Sequence, residues 1–163
     1  MATFGIRAAR RGFVGVLVAL TGAFAAAGCD EAQDALDADD RNSFINASNE
    51  LVDAYNALAS DASTLANQQD IPAFVALANE QIVTMEEQVS ELETLASNVD
   101  GEPKQIAEGA AAAARGVIAG ARDIVAALQA GDSAALEAAI ARSDTAIDAF
   151  NEEIRAWNDL ATD

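Results

Sequence analysis

Few side chains in this chain of 163 residues could carry covalent chemistry. There is one cysteine, Cys29, one lysine, Lys104, and no histidine. A nucleophilic hydroxyl needs a base within reach to take its proton. Without histidine that base would have to be Lys104, which sits at a predicted helix start. Di-iron and di-manganese sites in helical bundles need Glu together with Glu-x-x-His pointing inward. The histidine is missing, and the apolar stripes of the predicted helices carry no carboxylate. Haem ligation through histidine is excluded in the same way. Copper chemistry lacks a cluster of Met, Cys or His. The sequence therefore predicts a protein that is not an enzyme and holds no metal or other cofactor in its core.

One ladder of oxygen ligands remains. Asp144, Asp148 and Glu152 follow one another at i, i+4 and i+8, and Glu87 and Glu91 repeat the spacing. Hard cations such as Ca²⁺ take several oxygen ligands, so the ladder is a candidate weak cation site. A solvated acidic face with Arg142 and Arg155 nearby has the same pattern and is the commoner use of it. Like charges at this spacing work against the helix by about 0.2–0.5 kcal/mol per pair.

The thiol has a more specific setting. Met1 to Arg11 holds three arginines and no acid, and Gly12 to Ala27 is an unbroken run of apolar and small residues. A membrane-spanning helix needs about 20 such residues, more than this run supplies. A basic start, a short apolar middle and a small-residue end form the layout of an export signal. Ala26-Ala27-Gly28-Cys29 resembles the lipobox of bacterial lipoproteins, with Ala26 where that class usually has Leu. The resemblance implies a signal peptide over 1–28, cleavage after Gly28 and a diacylglyceryl group on the Cys29 sulfur. It also implies a covalent lipid as the only non-protein group, and attachment to a membrane through that lipid. Two or more acyl chains hold firmly, at about 0.8 kcal/mol per buried CH₂. Arg10-Arg11-Gly12-Phe13 resembles the twin-arginine export motif in the pair Arg10 and Arg11 and in Phe13; Ala9, Val14 and Gly15 depart from it.

Charge separates the leader from the body. All 27 acidic residues lie at or after Asp30, whereas Arg7, Arg10 and Arg11 precede Cys29. Removing the leader leaves six basic residues against 27 acidic ones. Such a body is repelled by phosphate backbones and by anionic headgroups, so no nucleic acid partner is expected. Residues 29–41 form a lipidated cysteine followed by an acidic tether with almost no large apolar residue.

The elements that must position everything else are helices. Four segments repeat apolar residues at alternating steps of three and four, the signal for helices packed side by side. The first, 42–67, carries Phe44, Ser48, Leu51, Tyr55, Leu58, Ala62 and Leu65. The second, 72–98, carries Val75, Ala78, Ile82, Met85, Val89, Leu92 and Ala96, extended by Ile71 and Val99. The third, 103–129, carries Ile106, Val117, Ile118, Ile124, Val125 and Leu128, with a second row of very small residues at Gly109, Ala113, Gly116 and Gly120. The fourth, 133–161, carries Leu136, Ile140, Ser143, Ile147, Phe150, Ile154, Trp157 and Ala161. Asp70-Ile71-Pro72, Asp100-Gly101-Glu102-Pro103 and Gly131-Asp132-Ser133 break the pattern with caps and breakers. Short links favour antiparallel neighbours, so the expected fold is all-α: an up-down-up-down four-helix bundle over 42–163.

That topology puts Phe44, Phe150 and Trp157 at the end tied to Cys29, and the 68–72 and 129–133 links at the far tip. The expected role is a lipid-anchored, non-catalytic interaction or structural module on the extracytoplasmic face of the cell membrane, with an envelope protein as partner. The alternative is an extracytoplasmic, sensor-like bundle that binds a small ligand or a cation. The analogy behind it lies in the fold alone.

Overall fold

The computed structural model describes residues 38–68 and 70–160, with the backbone alone over 61–68. Among these residues there are four helices and no strand: α1 (Ala38–Gln68), α2 (Ile71–Asn98), α3 (Gly101–Ala130) and α4 (Ser133–Asp159). The all-helical expectation holds, and the helices are those the periodicity marked out. Three boundaries differ by two residues or more, one of them the end of the fourth helix, which closes at Asp159 rather than Ala161. The first helix begins at Ala38 rather than Asn42, so it takes in the last residues of the predicted tether. Asp39 and Asp40 occupy its first turn, where negative charge favours the exposed N–H groups. The third begins at Gly101, two residues before Pro103.

The links are tight because their residues satisfy the helix ends. The Asp70 carboxylate accepts from the Ala73 N–H at 3.1 Å, and Pro72 stands in the first turn, where a missing N–H costs nothing. Asp132 accepts from the N–H groups of Ala134 and Ala135, each at 3.0 Å. Just before it, Gly131 adopts φ 67°, a left-handed conformation that glycine takes without strain. The Asp132 N–H then donates to the Ala127 carbonyl at 3.0 Å and the Gly131 N–H to the Leu128 carbonyl at 3.2 Å, which closes α3 with a Schellman motif.

Close backbone packing joins consecutive helices, α1 to α2, α2 to α3 and α3 to α4. The most intimate pair is α3 with α4, and the row of small residues is the reason. Gly120 faces Ser143, Gly116 faces Ala146 and Gly109 faces Glu153. A β-carbon on Gly120 would fall on the Ser143 hydroxyl and lie 3.1 Å from the Ser143 Cα. Helix α4 therefore rests almost on the α3 backbone. Each mid-helix glycine costs about 1 kcal/mol in helix propensity, which this close approach offsets.

The core follows the predicted stripes with local exceptions. Phe44, Leu51, Met85, Leu92, Val117, Phe150 and Trp157 are the large residues it encloses most completely. On α2 the sequence favoured Val75, but Phe74 is the buried residue and Val75 only half-buried. Ile71, expected to extend that stripe, is 43% exposed, because it starts the helix beyond the edge of the core. Leu95 joins the core beside Leu92. Leu128, Ile140 and Ile154 are partly buried. Of the predicted stripe positions, Ala161 lies outside the described residues, and the side chains of Ala62 and Leu65 do too.

Candidate functional site

Helices α1 and α4 meet differently from the other pairs. Their backbones do not approach closely along their length; side chains join them. The Phe44 and Trp157 rings stack with centroids 4.0 Å apart and planes 10° from parallel. These two aromatics are almost wholly enclosed and hold one end of the seam. Further along, Tyr55 of α1 comes into the field of Asp144 of α4.

Tyr55 lies in the predicted stripe and is 8% exposed. Its phenol pKa is pushed up to about 12, first by burial and then by the negative charge of Asp144. Two enclosed side-chain atoms among the described residues lack a hydrogen-bond partner, Ser48 Oγ and Ser143 Oγ. The Tyr55 hydroxyl also makes no hydrogen bond to a described residue, yet it is not fully enclosed. Asp144 is half-buried, and its carboxyl is raised above the ordinary range by burial and then by the charge of Asp148. Of the predicted ladder, Asp144 and Asp148 therefore interact, and both repel added negative charge. Glu152 acts instead on Glu153, whose carboxyl is raised by burial first and by Glu152 second. No three acidic, cysteine or histidine side chains among the described residues converge closely enough to hold a metal ion.

Three of the six basic side chains among the described residues have acidic partners on other seams. Arg115 pairs with Glu93 and Arg122 with Glu86, both between α3 and α2. Arg142 donates to the Asp123 carboxylate at 2.8 Å, between α4 and α3. Gln88, buried on α2, donates to Glu50 of α1 at 2.7 Å. All three arginine pairs are exposed, and such pairs contribute about 0–1 kcal/mol each. Their effect here is on the charge pattern: they neutralise acid on the seams flanking α3.

The serines do not form a catalytic arrangement. Neither Ser48 nor Ser143 has a base or any other polar partner on its hydroxyl, and activation of a serine requires one. No helix among the described residues is long and apolar enough to cross a membrane. Cys29, the cleavage residues Ala26, Ala27 and Gly28, and the export residues Arg10, Arg11 and Phe13 lie outside the described residues.

The sequence reading did not join Tyr55 to Asp144. Tyr55 stood as a polar member of the α1 stripe and Asp144 as the first rung of a surface ladder. The available signal was their equal distance from the aromatic end of the bundle, which needs the register of α1 against α4. The contacts of Ser143 with Gly120 and of Glu153 with Gly109 were likewise implied only as a small-residue row. No known protein family, curated protein or solved structure matches the chain.

Proposed function

We propose that the chain is a lipid-anchored, non-catalytic helical module of the cell envelope, held at the extracytoplasmic face of the membrane through Cys29. The observation that carries this reading is the lipobox-like Ala26-Ala27-Gly28-Cys29 at the end of a basic, then apolar, leader. The body adds support by what it brings together: packed apolar stripes, a stacked aromatic pair and solvated carboxylates. The acidic surface keeps the bundle off anionic headgroups while the acyl chains hold it nearby.

The bundle in this reading is up-down-up-down. Its support is the register of the cross-helix contacts. Between α3 and α4, Gly109, Gly116 and Gly120 meet Glu153, Ala146 and Ser143, so numbers rise on one helix as they fall on the other. Between α2 and α3, Glu86 and Glu93 meet Arg122 and Arg115 in the same opposed sense. Between α1 and α4, Phe44 meets Trp157 and Tyr55 meets Asp144. In this arrangement the Phe44–Trp157 stack lies at the anchored end and the Asp70 and Asp132 caps at the tip. Exposed Ile71 stands at that tip.

The test is the intact mass of the native protein from detergent-extracted membranes, beside a Cys29→Ser variant. The expected mass is that of residues 29–163 plus the acyl groups, with Cys29→Ser remaining uncut and unlipidated. A mature mass without lipid overturns the anchor and leaves a free secreted bundle. An uncut wild-type mass overturns the cleavage.

A further inference from the structure

We propose that the bundle opens along the seam between α1 and α4, and that the Phe44–Trp157 stack is the clasp that holds this seam shut. The α1–α2 pair and the α3–α4 pair then part as two leaves, with all four helices kept. The proposal goes beyond the function given above and does not rest on the anchor.

The first support is the way the helices are joined. Each consecutive pair has a short link, closely packed backbones and a polar tie. Gln88 donates to Glu50 between α2 and α1. Arg115 and Arg122 pair with Glu93 and Glu86 between α3 and α2. Arg142 donates to Asp123 between α4 and α3. No link joins α1 to α4, and their backbones stay apart. Side-chain packing closes this seam, with the stacked rings at one end. Local opening follows the line of lowest contact density, and here that line is the α1–α4 seam.

The second support is the glycine row, which decides how α4 moves. Gly109, Gly116 and Gly120 bring α4 down on α3, closest at the Ser143 Cα. When the seam parts, α4 therefore stays with α3.

The third support is Ser48. It is 0% exposed, and its hydroxyl has no partner. On α1, Phe44 meets α4 and Glu50 meets α2. At about 100° per residue, Glu50 lies about 120° from Phe44 in one sense and Ser48 about 40° in the other. Ser48 is thus on the α4 side of α1. An enclosed hydroxyl without a partner favours a state in which water reaches it, and parting α1 from α4 admits that water. Ser143, equally enclosed and equally unpartnered, lies against Gly120 in the contact that stays closed. Opening would expose Phe44, Leu51, Phe150 and Trp157, so the seam controls whether the apolar interior of the bundle is shown.

The two serines match in burial and differ in seam, which makes them the test. In the full-length chain carrying Cys29→Ser, Ser48→Cys and Ser143→Cys each supply a single thiol close in size to the group it replaces. Each is labelled by a chromogenic thiol reagent in native buffer and at low urea, with helical circular dichroism confirming the fold. Ser48→Cys should label at least about tenfold faster than Ser143→Cys, and its rate should rise less steeply with urea than global unfolding does, because only part of the surface is exposed. Adding Phe44→Leu, which removes the ring stack and keeps an apolar side chain, should speed labelling at position 48 by about threefold or more. Adding Ala146→Gly, which weakens α4 at its contact with Gly116, should speed labelling at position 143 severalfold and leave position 48 within about twofold, since α4 stays helical and docked in the open state. Equal rates at the two positions would show that only global unfolding admits the reagent and would overturn the proposal. So would an equal effect of Ala146→Gly on both, and an unchanged rate at position 48 in Phe44→Leu would remove the clasp. The chain in this assay carries no lipid, so the outcome stands apart from that of the intact-mass measurement.

Discussion

Two alanine substitutions in one helix should change stability in opposite directions. Gly109 and Gly120 both lie inside α3, and both face α4. Replacing a mid-helix glycine by alanine gains about 1 kcal/mol in helix propensity at either place. What the new methyl group meets is different. At Gly109 it meets the Glu153 carboxyl group, the far end of a flexible side chain that is partly exposed. That group can swing into water, where its charge is better solvated, so Gly109→Ala should stabilise the protein by about 0.5–1 kcal/mol. At Gly120 the methyl group meets the Ser143 hydroxyl, and also the Ser143 Cα at 3.1 Å. A hydroxyl can rotate away, but a backbone atom moves only with its helix. Overpacking of this kind costs about 1–3 kcal/mol, so the propensity gain is outweighed and Gly120→Ala should lose about 1–2 kcal/mol net. Gly116→Ala should fall between, since its new methyl group meets only the Ala146 Cβ at 3.0 Å. Urea titrations followed by helical circular dichroism measure all three, with equal m-values showing that the unfolding reaction is unchanged. Gly120→Ala/Ser143→Ala should recover only part of the loss, because the α4 backbone still stands in the way of the new methyl group. If Gly120→Ala were as stabilising as Gly109→Ala, α4 could not lie on the α3 backbone as described, and the explanation of the glycine row would be wrong.

The remaining expectations concern buried oxygens, protons and the aromatic stack. Ser48→Ala and Ser143→Ala each remove an enclosed hydroxyl without a partner, so each should raise stability by up to about 1 kcal/mol in the same urea assay; a loss beyond about 1 kcal/mol would mean that the hydroxyl is bonded. Tyr55 is the single tyrosine, so its titration can be read directly from tyrosinate absorbance and should centre near pH 12 rather than 10. Because the folded-state pKa is raised, the associated stability is whole below the unfolded value and is lost as pH climbs through the folded one; a midpoint near 10 in folded protein would refute the burial. Asp144 and Glu153 are carboxyls raised by folding, so their contribution grows as pH falls, and the melting temperature should rise from neutral pH toward about 4; a fall over that range would show that other, depressed carboxylates dominate. Trp157→Ala removes a fully enclosed ring from the α1–α4 stack and should cost about 3–5 kcal/mol, measured as a drop in the urea midpoint.

Helices were legible in the sequence because their signals are local. Alternating steps of three and four, Asp70 before Pro72, and Gly131 before Asp132 and Ser133 each act within a few residues. The α4 start at Ser133 was therefore read to the residue. The early start of α1 was not, since Asp39 and Asp40 read equally as tether and as a favourable first turn. Phe74 and Val75 show a further limit. Both are apolar and adjacent, and which one turns inward depends on how α2 is rotated against its neighbours. The stripe fixes that rotation only to within about one residue, or 100°.

The candidate site was legible in its parts and hidden in its assembly, and the reason lies in the same packing. Polar residues within apolar stripes, here Ser48, Tyr55 and Ser143, look alike in sequence. The structure separates them by what stands opposite. Ser143 is enclosed because Gly120 lets α4 come down upon it, so its hydroxyl has no exit. Tyr55 is longer and belongs to α1, whose backbone stays apart from that of α4, and its phenol feels the charge of Asp144 across that gap. The glycine row that draws α4 toward α3 also holds α4 at a register set by three contacts, from Gly109 to Gly120. A change at Gly120 that shifted α4 along α3 by even one residue would carry Asp144 about 1.5 Å along its axis and rotate it by about 100°. The titration of Tyr55, which feels Asp144, should therefore change more in Gly120→Ala than in Gly109→Ala, although neither glycine lies on the α1–α4 seam. Equal tyrosinate titrations in the two variants would show that the seam is set by the aromatic stack alone.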